Sequence, residues 1–79
     1  MVEYKNSEKT TTGNNLGELM NIETKPSENG RYWVEFYNPQ NNVTEKYQLA
    51  QREFCDGEWS NPYYAPGYVL NGWYTNPVS

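Results

Sequence analysis

The chain has 79 residues, with three Trp, eight Tyr and two Phe, one Cys, no His, and ten acids against six bases for a net charge of −4. That inventory excludes several classes together. A Cys/His zinc site or a disulfide framework cannot be built, no apolar run is long enough to span a bilayer, and the scattered Lys and Arg form no basic patch for direct contact with duplex nucleic acid. No cofactor, metal or membrane partner is therefore expected. Ordering the chain costs on the order of 120 kcal/mol at about 1.5 kcal/mol per residue, and aromatic burial must offset most of it. The lone Cys and the absence of an apolar segment after Met1 give the expectation of a cytoplasmic protein, and Met1 with a plausible C-terminus that of a complete chain. Its acidic surface either serves solubility or suits a partner with a basic surface.

Residues 1–14 read as a flexible polar arm, in which Val2 and Tyr4 alternate as an edge strand would, and residues 15–79 as a single small β-rich domain. In Asn15-Leu16-Gly17-Glu18-Leu19-Met20, Asn15 suits an N-cap and Glu18 the capping-box position, which predicts a helix of about two turns. The alternative is an extended Met20 to Thr24. After a loop from Lys25 to Asn29 comes Gly30-Arg31-Tyr32-Trp33-Val34-Glu35-Phe36-Tyr37, the longest run of strand formers. Alternation places Tyr32, Val34 and Phe36 on one face, the core face, and Arg31, Trp33, Glu35 and Tyr37 on the other. Trp33 reads either as packed under a C-terminal segment or as an exposed anchor.

Asn38 to Asn42 breaks this strand, and a returning strand is expected from near Thr44 to Cys55. Tyr47 and Leu49 are in phase there but Phe54 is on the opposite parity, which predicts a bulge near Leu49-Ala50 or a strand covered on both faces. Asp56-Gly57 is the strongest hairpin signal in the chain, because the pair takes a primed turn readily. Trp59 starts a third strand. A Pro-rich loop follows, and the last strand comprises Tyr68-Val69-Leu70 and Trp73-Tyr74, interrupted by Asn71-Gly72. The expectation is a mainly β fold, a meander of three or four antiparallel strands with at most one short N-terminal helix. Pairing of two copies through a sheet edge into a homodimer stays open.

Pro26 with Gly30, Tyr32 and Val34, then Asp56-Gly57 with Trp59, then Val69 and Trp73 with Pro77 form a loose pattern of fold-keeping residues. In these the chain resembles a small family of phage- and prophage-encoded proteins, over about two-thirds of its length. The resemblance implies a small β-sheet architecture and a phage origin. The chain departs from it in the N-terminal arm and in the tyrosine-rich loop 61–68.

Catalysis is not expected. Cys55 has no histidine to activate it and reads as a small apolar residue beside a turn, and Glu53 with Asp56 reads as a strand end and a turn. Trp59, Tyr63, Tyr64 and Tyr68 around the Pro-rich loop, with Asn61, Asn71 and Asn76, have the composition of a paratope, although the tyrosines also suit closure of the open end of a sheet. These features lead to a non-enzymatic binding protein that blocks a host protein by direct contact, similar in size and acidity to anti-CRISPR and other anti-defence inhibitors. The expected partner-binding residues are Trp33, Glu35, Glu45, Glu53, Asp56 and Glu58, with Tyr63 and Tyr64 as anchors. The alternatives are a small oligomeric nucleotide binder using Arg31, Arg52 or Lys46 for phosphate, and a phage structural or assembly component.

Overall fold

The computed structural model describes residues 16–78; the arm expected over 1–14 and the proposed N-cap Asn15 lie outside the described residues. Five strands form one antiparallel sheet that curls into a half-barrel: β1 Leu19–Asn21, β2 Gly30–Tyr37, β3 Tyr47–Cys55, β4 Glu58–Trp59 and β5 Val69–Pro77. Their order across the sheet is β1-β5-β2-β3-β4.

The mainly β, antiparallel expectation holds, and three finer expectations are corrected. The sheet has five strands rather than three or four. It is a meander only from β2 to β4, because β5 crosses back to pair with both β2 and β1. Leu19 and Met20, assigned to a short helix by their spacing, are extended and pair with Tyr74 and Trp73. A partner strand supplied from the far end of the chain overrides the weak local helical preference, which Gly17 already lowers.

The β2–β3 pair runs without a register shift from Gly30↔Phe54 to Tyr37↔Tyr47. The bulge expected near Leu49-Ala50 is therefore absent; Tyr47 and Leu49 sit on the face opposite Phe54, and that accounts for the parity change. The irregularities lie instead between β2 and β5. Phe36 pairs with Leu70 and Glu35 with Gly72, so Asn71 is the extra residue of a bulge. Asp56 and Gly57, at φ 54 and 86, make the primed turn that joins β3 to β4.

One face of the curl holds the core. Tyr32, Val34 and Phe36 are buried there with Phe54 and Trp73, and Met20, Trp59, Tyr68 and Leu70 pack against them. The aromatic rings meet edge to face, Tyr32 with Trp73 at 5.4 Å and with Trp59 at 5.9 Å, the arrangement their quadrupoles favour. The connections complete the layer. Trp73 Nε1 donates to the Thr24 carbonyl at 2.5 Å. On the other side, Arg52 Nε and Nη2 donate to the carbonyls of Asn61 and Tyr63 at 2.7 Å each, with the guanidinium over the Phe36 ring.

Candidate functional site: the open face of the sheet

Burying one face of β2 sends its alternate residues outward, and register decides what they meet. Trp33 stands opposite Gln51, Glu35 opposite Leu49, and Tyr37 between Tyr47 and Val69. Leu19, Tyr47, Leu49 and Val69 are all exposed here, so a group of apolar side chains stands uncovered among the described residues. The Tyr37 and Tyr47 rings lie against each other at 5.0 Å.

Glu35 is only 6 % exposed at the middle of this face. The bulge turns Asn71 toward it, and Asn71 Nδ2 donates to Glu35 Oε1 at 2.7 Å. Leu19, Glu35, Tyr47 and Asn71 line a hollow of about 440 Å³. Burial, and secondarily the charge of Glu35, push the Tyr74 phenol above its ordinary value. Gly72 makes this close arrangement of β1 and β5 possible: a Cβ there would come 2.6 Å from the Met20 carbonyl oxygen.

The eight residues singled out from the sequence do not gather at one place. Trp33 and Glu35 share the open face. Glu53 shares it by register but pairs with Arg31, Oε2 to Nη2 at 3.0 Å. Asp56 and Glu58 stand at the β3–β4 turn. Glu45 precedes the other end of β3, the end opposite Glu53, and accepts from Gln48. Tyr63 is 73 % exposed, whereas Tyr64 packs on Phe36 and Tyr68 over the core. Leu19, Tyr47 and Asn71 line the hollow with Glu35; Leu19 and Tyr47 were missed as site residues from sequence, and Asn71 was noted only among the polar residues near the Pro-rich loop. The shared parity of Tyr47 and Leu49 was the available signal for one wall; Asn71 and Tyr74 reach Glu35 only through a long-range pairing.

The cations of the described residues are all engaged within the fold. Setting aside Glu3, Lys5, Glu8 and Lys9, outside the described residues, eight acids and four bases remain. Lys25 Nζ donates to the Gly57 carbonyl, Lys46 Nζ to the Gln40 carbonyl, Arg52 to the loop carbonyls and Arg31 to Glu53. Arg31–Glu53 is the one ion pair between described residues. Cys55 is exposed, and its thiol is pushed up chiefly by the Asp56 charge, against the thiolate a nucleophile needs. No group of three or more Cys, Asp or Glu among the described residues is placed to hold a metal ion. Comparison of the chain with protein-family models, curated proteins and solved structures gives no match.

Proposed function

We propose that this chain is a non-enzymatic binding protein that acts by direct contact with the basic surface of a protein partner. The observation that carries the reading is the charge distribution: the described residues hold eight carboxylates and a single internal ion pair, while each of their four cations is tied to a protein acceptor. Such a surface steers a basic partner and repels phosphate. A nucleotide site is correspondingly disfavoured, because Arg31, Arg52 and Lys46 would each have to abandon a partner to take a phosphate. The specific form proposed is a phage-encoded inhibitor of a host defence or nucleic-acid-handling protein, of the anti-CRISPR kind, working in the host cytosol. This form extends the sequence resemblance by class.

The test is capture by the tagged protein from nuclease-treated host lysate, read by mass spectrometry at low and high salt. The expected result is one basic nucleic-acid-handling protein, held at low salt and shed at high salt. The combined variant Glu45→Gln, Asp56→Asn, Glu58→Gln should weaken that binding by about tenfold, at about 0.5 kcal/mol per exposed charge pair, and flatten its salt dependence. Unchanged affinity in the variant overturns the electrostatic reading.

A further inference from the structure

A buried carboxylate whose hydrogen-bond partner is one neutral amide is an expensive arrangement for a fold to keep. Glu35 is such a group: it is 6 % exposed, accepts from Asn71 Nδ2, and sits where no cation of the described residues reaches it. A glutamine at this position would accept the same hydrogen bond from Asn71 with no charge to desolvate, so the fold by itself gives no reason for the charge. The charge does face something. Glu35 lines the hollow of about 440 Å³, whose other walls are the exposed ring of Tyr47, the Leu19 side chain and Asn71. A carboxylate floor with an aromatic wall attracts a cation twice, through the ion pair and through the negative face of the ring. An aliphatic wall suits a methylene stem.

We propose that this hollow is a socket for one basic side chain, lysine or arginine, carried by the protein partner, with the Glu35 carboxylate as its counter-ion, Tyr47 backed by Tyr37 as its aromatic wall, and Leu19 against its stem. The inference rests on the protein-contact reading above and gives it an anchor. The exposed acids Glu45, Asp56 and Glu58 steer the partner, while the hollow takes one of its side chains out of water, where a charge pair discriminates more strongly than at an exposed rim. Tyr74 senses the same carboxylate, since its phenol is pushed up first by burial and then by the Glu35 charge, so a cation seated on Glu35 should bring the phenol back down.

The experiment titrates the isotopically labelled full chain at low ionic strength with capped lysine, capped arginine and capped norleucine, which is lysine without the ammonium. Lysine and arginine should shift the Asn71 side-chain amide and the Tyr47 and Leu19 resonances saturably, with norleucine weaker by about tenfold, the factor expected of one charge-assisted pair. Glu35→Gln, which keeps the Asn71 hydrogen bond, should remove the preference for lysine over norleucine. Equal binding of lysine and norleucine by the unaltered chain, or shifts confined to the Asp56 and Glu58 turn, overturns the socket without recourse to any variant. The two readings fail separately. Capture of a salt-sensitive basic partner alongside a silent titration removes the socket and leaves the contact reading, whereas a selective titration with no captured partner does the reverse.

Discussion

Gly72→Ala is the substitution that most directly tests how the open face is built. Gly72 pairs with Glu35 on one side and with Asn21 on the other, at the point where β1 and β5 are pressed together. Its φ is not among the positive values, so alanine can adopt the backbone, and reduced freedom of the unfolded chain would favour it by about 0.4–1 kcal/mol. Against that, the new methyl would stand 2.6 Å from the Met20 carbonyl oxygen and 3.0 Å from Leu19 Cδ1. The Leu19 side chain can turn away, but the Met20 oxygen belongs to the paired backbone and moves only if β1 moves. Overpacking of this kind costs about 1–3 kcal/mol, so the clash wins and a net loss of about 1–2 kcal/mol is expected. In a domain this small that corresponds to a fall in Tm of roughly 5–15 °C. Urea denaturation measures the loss, and amide exchange locates it. The amides of Ile22, bonded to the Asn71 carbonyl, and of Thr75, bonded to the Glu18 carbonyl, should lose protection while those inside β2 keep theirs. A variant as stable as the parent with Ile22 and Thr75 still protected would refute the close-approach account, and with it the Leu19 wall of the hollow.

The Tyr74 phenol is raised above 10.0 by burial and by Glu35. The folded state thus binds its proton more tightly than the unfolded state, so stability is intact below about pH 10 and declines as pH climbs through the raised folded value. Urea midpoints between pH 8 and pH 11 should show this decline, lessened in Tyr74→Phe, and an unchanged decline in that variant would count against it. At the hairpin, Asp56→Asn removes the main charge raising the Cys55 thiol, so alkylation at mildly alkaline pH should accelerate. Asn accepts the left-handed φ of 54 that this turn position requires, so an unchanged rate could not be blamed on a lost turn.

Where a feature depends on neighbours in the chain, the residues announced it. Gly30–Tyr37 formed a strand with the bounds its composition predicts, Tyr32, Val34 and Phe36 went to the core together, and Asp56-Gly57 made the hairpin. Features that depend on distant pairing were hidden. Leu19 and Met20 carry a helical spacing, and only Tyr74 and Trp73, from the last strand, make them extended. Phe54 looked out of phase with Tyr47 and Leu49 because that in-phase pair was expected to be covered; their face is the open one. Glu35 could be named as a site candidate from its alternation with the core residues. Its burial could not, because that follows from Leu49, Gly72 and the bulged Asn71 closing around it.

The position of β5 also shapes the life of the chain as it is made. The hairpins from β2 to β4 can close within microseconds of leaving the ribosome. β5, however, is the last strand to be made, so an interval separates closure of these hairpins from its docking. Throughout that interval the central strand, rich in Tyr, Trp, Val and Phe, offers its free edge and half its core to whatever is nearby. Charged flanks that keep neighbouring nascent chains apart, and prompt chaperone cover, should therefore matter more to the yield of this protein than its small size suggests.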